Sequence, residues 1–352
     1  MNEAMLAALL YGNRDLRLQD VPEPVPGPGE AKVTVGHNGL CGTDLHEYFS
    51  GPLACTAEPH PLTGGALPQV MGHEFAGTVA EVGPGVEGVR VGDRVAVASL
   101  YACGRCDRCL SGVPQLCELV TTHGICSRGG GLSQFTVVPA SMLHRLPDGV
   151  SLSQGALIEP LSVAFSGALR ARVEPGGSAV VLGGGPIGIG VTLGLRALGV
   201  EDVLVVEPAG DRRRIVEALG VETLDPAVVD VVAKLRKRTA GRGVDAAVDC
   251  AGVADTFRLA PAVLRARGRY VLLAMSMTQV PFVPFALARS EIELTGSLGY
   301  SRETFARVLD LVAAGVFPMT SWVEHMPLNE VHAAFEDLRA GRRMKVLVDL
   351  PG

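Results

Sequence analysis

The chain has 352 residues, 47% hydrophobic and 19% charged, with a formal net charge of −6. That length suits about two domains, each with its own core, and the composition excludes a disordered chain. An acidic chain without a basic run is also a poor partner for nucleic acid. The opening residues, MNEAMLAALLYGNRD, carry Glu3 and no basic segment before a short apolar run, so they do not read as a signal peptide. Residues 22–28 (PEPVPGP) form a turn-rich connector. β-Branched runs at 31–35, 77–83, 93–99 and 133–139 follow, bounded by Gly, Pro or Asp, and predict a β-rich domain of short strands and loops.

The pattern changes near residue 155. An apolar run at 178–185 ends in glycines and leads into a helical pattern at 188–199. Next come a strand at 202–208, helices at 210–220 and 230–239, a strand at 244–250, a helix at 254–264 and a strand at 268–275. This alternation predicts an α/β fold with right-handed crossovers and a doubly wound parallel sheet. Beyond residue 300 the chain reads as helices at 301–315 and 329–341 and a strand at 345–350. Two uncharged stretches, 176–195 and 270–288, contain several glycines and two prolines respectively, which suits buried strand–turn segments better than membrane spans. A cytoplasmic location without membrane partners is expected.

Gly183, Gly185 and Gly188 form G-x-G-x-x-G around Pro186 and Ile187 at a strand-to-helix junction. Such glycines permit a tight turn and close approach of a pyrophosphate to the helix N-terminus. Glu207 ends the next strand, where a carboxylate accepts hydrogen bonds from ribose hydroxyls and repels a 2′-phosphate, so NAD is expected. Arg212, Arg213 and Arg214 keep NADP open, because arginines accommodate that phosphate.

Cys103, Cys106, Cys109 and Cys117 form C-x2-C-x2-C-x7-C. Four soft thiolates on one loop suit a closed structural zinc site, with an iron–sulfur cluster as the alternative and disulfides a poor fit to a cytosolic chain. Cys41, His73, Glu74 and Glu159 are scattered, and each alone has an ordinary structural reading.

GHEFAG (72–77), GDRVAV (92–97), the four-cysteine loop, LGGGPIG (182–188) and KVLVDL (345–350) together resemble the zinc-dependent medium-chain alcohol and polyol dehydrogenases, over nearly the whole chain. The resemblance implies a GroES-like catalytic domain in residues 1–158, a Rossmann NAD-binding domain in 159–299, a return to the catalytic domain in 300–352, and an active site in the cleft between them. It also implies two zinc ions per chain. Cys41, His73, Glu74 and Glu159 would surround the catalytic ion, and the four-cysteine loop would hold the structural one. Thr43 would lie beside the reacting oxygen and His46 at the outer end of a proton relay. Arg212 would meet the adenosine ribose, and Asp249 and Gly252 would lie where the dinucleotide passes.

The segment 46–75, with its EPHPLTG insert (58–64), and GSLGY (296–300) are similar to R-specific 2,3-butanediol dehydrogenases. They imply NAD-linked interconversion of 2,3-butanediol and acetoin, and reduction of diacetyl, with a sorbitol-type polyol as the alternative substrate. Cys55, inside the segment, reads as an ordinary or mildly reactive thiol. A non-catalytic dinucleotide-binding relative would lack the zinc ligands, which are all present here. The family also implies a homodimer or homotetramer, with the strand-rich stretch 280–287 pairing across a two-fold axis.

Overall fold

A computed structural model describes residues 4–276, 279–280, 282–319 and 321–351. The chain divides into two compact units. The first comprises Met1–Pro160, Ser301–Ala314 and Val323–Gly352, and the second Leu161–Tyr300 and Gly315–Trp322. Glu3 lies outside the described residues. No described helix is long and apolar enough to cross a membrane.

The first unit is built on a seven-stranded sheet. Its spatial order is Leu143–Arg145, Arg94–Val97, Glu74–Val82, Glu30–Gly39, Lys345–Asp349 and Val323–Pro327, with Phe135–Pro139 also paired to Glu30–Gly39. Thus a strand from the chain's end is enclosed between one from its beginning and another from its end. Its pairing with Glu30–Gly39 is antiparallel and that with Val323–Pro327 parallel. A hairpin of Ala4–Gly12 and Asp15–Pro22, which the opening apolar run did not announce, pairs in turn with Gln69–Val70. Alternation along Glu30–Gly39 buries Val33 and Val35, whereas the C-terminal strand buries both faces from Lys345 to Val348.

The helix Val331–Arg339 adds Phe335 to this core, where its ring stands edge-on to Tyr48 at 5.0 Å. Tyr48 belongs to the helix Gly42–Phe49, which starts at a candidate metal ligand.

The second unit holds a six-stranded, wholly parallel sheet. Its spatial order is Glu222–Leu224, Asp202–Val206, Ser178–Leu182, Val244–Asp249, Leu264–Leu272 and Glu293–Gly296. In chain order this is 3-2-1-4-5-6, the Rossmann arrangement. The central strands bury apolar runs, 179–182 and 246–248, as strands do when helices cover both faces of a sheet. The stretch 280–287 departs from its strand-rich reading. Phe285–Ala288 is a short helix started by Pro284, whose fixed φ suits a helix's beginning. The edge strand is Glu293–Gly296, and Pro281 lies outside the described residues.

Phe335→Ala should lower the unfolding free energy by about 3–5 kcal/mol, the usual cost of emptying a fully buried aromatic site. Urea unfolding followed at Trp322 and by circular dichroism would measure it. A loss below about 1 kcal/mol would show that this side chain does not hold the core.

Candidate active site

Cys41 caps the helix Gly42–Phe49 with an extended backbone, φ −103° and ψ 158°. Asp44, in the first turn of that helix, accepts a hydrogen bond from the Cys41 N–H at 2.9 Å. The other Asp44 oxygen lies 3.2 Å from His73 Nδ1, and the carboxylate is wholly buried. A carboxylate on one imidazole nitrogen orients the ring and frees the other nitrogen, Nε2, for a metal.

His73 and Glu74 follow Gly72, whose φ is +97°. A Cβ at Gly72 would stand 2.6 Å from Asn38 Oδ1 and 2.7 Å from the Leu132 nitrogen, so only glycine fits this turn.

One ligand atom from each of Cys41, His73 and Glu74 lies within 4.8 Å of the others. Glu159 is buried in the first turn of Ile158–Ala171 but is not part of this set. Glu74 forms a buried ion pair with Lys345 Nζ, which also donates to the Leu40 carbonyl at 2.8 Å. The second Glu74 oxygen, Oε1, is buried without a hydrogen-bond partner among the described residues.

Burial alone would lower the pKa of His73 and Lys345. Instead Asp44 and Cys41 hold His73 well above its ordinary value, and Glu74 and Cys41 raise that of Lys345. The pocket therefore attracts positive charge. An orphaned carboxylate oxygen beside a thiol and an oriented imidazole fits a zinc ion of the open, catalytic kind.

Thr43 Oγ1 is 3.7 Å from Cys41 Sγ. His46 is exposed in the last turn of the same helix.

The four-cysteine loop converges as well. Its sulfurs are 3.5 Å apart for Cys106–Cys109, 3.8 Å for Cys106–Cys117 and 4.0 Å for Cys103–Cys109. A tetrahedron with zinc–sulfur bonds of about 2.3 Å places its sulfurs roughly 3.8 Å apart. An iron–sulfur core would hold the thiolates further apart than one ion does. Backbone N–H groups of Cys103 and Leu119 donate to Cys117 Sγ at 3.2 and 3.3 Å. All eight cysteines are unpaired.

In the second unit Gly183 has a φ of +103° and ends the first Rossmann strand. A Cβ at Gly188 would collide with the Gly183 carbonyl, so glycine lets the helix Pro186–Ala197 start tight against the strand. Gly185, Pro186 and Ile187 remain partly exposed on this turn. Buried Glu207 accepts hydrogen bonds from the Gly184 N–H at 2.7 Å and the Ala209 N–H at 2.8 Å. Arg213 pairs with Asp225 at 2.8 Å, and Arg214 pairs with Asp211. Arg212 Nη1 lies 4.0 Å from the position a Gly185 Cβ would take.

Asp249 has a structural role. It accepts hydrogen bonds from Tyr270, Thr256 and the N–H groups of Ala251 and Gly252, all within 2.9 Å. Cys55 is fully buried, and burial with neighbouring Cys126 raises its pKa, so it is an inert packed thiol.

Asp44 and Lys345 did not stand out in the sequence. Lys345 left one signal, a lysine opening the apolar run 346–348.

Family models agree with this geometry. The alcohol dehydrogenase GroES-like domain matches residues 27–148, and the zinc-binding dehydrogenase domain matches 186–314. The chain belongs to the zinc-binding alcohol dehydrogenase family. It resembles 2-dehydro-3-deoxy-L-galactonate 5-dehydrogenase of Pseudoalteromonas atlantica, with 36% identity over 347 residues and 98% of both chains covered. It is 38% identical to (R,R)-butanediol dehydrogenase of Bacillus subtilis over 315 residues, 89% of each chain. The crystal structure of 2R,3R-butanediol dehydrogenase from Bacillus subtilis matches with a TM-score of 0.93 at 36% identity, covering 99% of this chain and 100% of that one. This zinc-binding dehydrogenase is thus an enzyme with a small-molecule alcohol as its class of substrate.

Lys345→Met should destabilise the dehydrogenase by about 3–5 kcal/mol, because it strands the Glu74 charge in the interior. Lys345→Met with Glu74→Leu should lose clearly less than the single variant. Urea midpoints at constant m would show this, and equal losses would mean that the ion pair is not what compensates Glu74.

Proposed function

We propose that the chain is a zinc-dependent, NAD-linked secondary-alcohol dehydrogenase that interconverts 2,3-butanediol and acetoin and also reduces diacetyl. The observation that carries this reading is the convergence of Cys41, His73 and Glu74 in a buried, cation-attracting pocket with Thr43 alongside. Identity to the named butanediol dehydrogenase adds the substrate class.

In this reading Cys41, His73 and Glu74 hold the catalytic zinc, and Glu159 completes the set or meets the second hydroxyl of a vicinal diol. Bound zinc supplies Lewis acidity toward the substrate oxygen. Thr43 accepts the substrate hydroxyl's proton through a hydrogen bond and passes it outward. His46, exposed at the end of the same helix, exchanges it with solvent. Cys103, Cys106, Cys109 and Cys117 hold a structural zinc, giving two ions per chain.

The turn 183–188 receives the dinucleotide, with Gly183, Gly185, Pro186, Ile187 and Gly188 on the pyrophosphate and Arg212 at the adenosine end. NAD is favoured over NADP because Glu207 places a buried carboxylate at the strand end, while Arg213 and Arg214 are engaged by Asp225 and Asp211. The enzyme acts in the cytoplasm as a homodimer or homotetramer. Oxidation of a sugar-derived polyol or sugar acid is the second reading, favoured by the relative named for 2-dehydro-3-deoxy-L-galactonate.

Initial rates with NAD and NADP on (R,R)-, meso- and (S,S)-2,3-butanediol, with sorbitol and ethanol as controls, test the reading. NAD-linked turnover confined to diols with an R carbinol is expected. Turnover mainly of sorbitol, or dependence on NADP, would overturn the substrate or cofactor assignment respectively.

Thr43→Val should lower kcat/KM by about 100-fold or more with zinc content unchanged, the usual worth of a positioned proton-transfer group. Full activity in that variant would remove Thr43 from the proton path.

A further inference from the structure

A third group of metal-ligating side chains lies on the first unit's sheet, apart from Cys41 and from the four-cysteine loop. His37, His325 and Asp349 come from three adjacent strands, and their ligand atoms lie within 4.8 Å of one another. Register explains the convergence. Asp349 stands directly opposite His37 across the antiparallel pair. His325 is level with Leu347, two residues before Asp349 and therefore on the same face. Met326, Val346 and Val348 occupy the opposite, core face.

Both imidazoles aim Nδ1 at one oxygen. His37 Nδ1 is 2.8 Å and His325 Nδ1 2.7 Å from Asp349 Oδ1, with the rings nearly perpendicular at 84°. The side chains are 26%, 44% and 44% exposed for His37, His325 and Asp349, which leaves room for water.

We propose that His37, His325 and Asp349 form a third metal site, open to solvent, for a borderline divalent transition-metal ion such as Zn2+. Two imidazoles and a carboxylate are a donor set of intermediate softness, suited to zinc, copper, nickel or ferrous iron rather than to calcium or magnesium. Each neutral ring carries one proton, which moves to the outer Nε2 when Nδ1 gives its lone pair to the metal. The carboxylate then turns its oxygen from two N–H donors to the ion, and water completes the coordination. The perpendicular rings bring their lone pairs in from different directions, as a tetrahedral or octahedral centre requires.

The test uses the tag-free, zinc-loaded full chain in equilibrium dialysis against buffered Zn2+, with metal per chain counted by atomic absorption. Wild type should take up one equivalent more than His325→Gln or Asp349→Asn, or bind it about tenfold or more tightly. The imidazole NMR signals of His37 and His325 should shift together as that equivalent enters. Equal uptake by wild type and both folded variants, or no further uptake at millimolar Zn2+, would leave only a hydrogen-bonded clamp and overturn the proposal. Because the readout is a metal count on residues outside the active site, it stands whichever alcohol the enzyme oxidises.

Discussion

A wholly buried carboxylate, Glu74, imposes the demand that the first unit is organised to meet. An isolated charge of that kind is too costly to keep in a protein interior. Here it is met on one oxygen by Lys345, and the other is left for a cation. Both partners come from strands flanking Glu30–Gly39, one near residue 74 and one near the chain's end. Charge compensation therefore requires the C-terminal strand to be in register before the pocket is electrostatically sound. The pocket cannot exist in a chain that has not closed this sheet, which couples metal affinity to completion of the fold.

The same demand explains the helix Gly42–Phe49. Its first turn supplies Asp44, which accepts the Cys41 N–H with one oxygen and stands 3.2 Å from His73 Nδ1 with the other. One carboxylate thus sets the geometry of two ligands drawn from different segments. The far end of that helix is held by Tyr48 against Phe335, so packing some distance from the metal ligands keeps the ligand-bearing end in place. In the second unit Glu207 acts in a comparable way. By accepting the Gly184 and Ala209 N–H groups it joins the ends of two strands and presents its charge beside the glycine turn.

Much of this was legible in the sequence where the signal is local. Gly183, Gly185 and Gly188 with Glu207, and the cysteines within residues 103–117, report their own geometry because spacing along the chain fixes spacing in space. The parallel sheet followed from alternating apolar runs. Glu222–Leu224, by contrast, is too short to stand out between two helical patterns. The hairpin of Ala4–Gly12 and Asp15–Pro22 was hidden because Arg14, not glycine, takes the positive φ of 56° in its Asn13-Arg14 turn, where Asn-Gly is the usual signal. Cys41, His73 and Glu74 could be joined only through likeness to a known family. The roles of Asp44, Lys345 and Asp249 depend on partners up to 305 residues away or on the fine geometry of a turn, which no periodicity encodes.

The C-terminal strand shows what such long-range pairing can do. Lys345, Leu347 and Asp349 alternate onto one face of Lys345–Asp349, opposite the core residues Val346 and Val348. Lys345 compensates the active-site carboxylate, and four residues on, roughly 13 Å along a strand, Asp349 gathers two histidines. Glu74, Gly39, Leu347 and His325 lie in one cross-strand row, so buried Leu347 separates the two polar groups. That apolar spacer keeps the Asp349 charge from competing for Lys345, and it keeps solvent at exposed His325 away from the buried ion pair. A five-residue strand can therefore serve a dry, charge-balanced pocket and a wet, ligand-accessible cluster at once, because its alternation leaves one apolar residue between them.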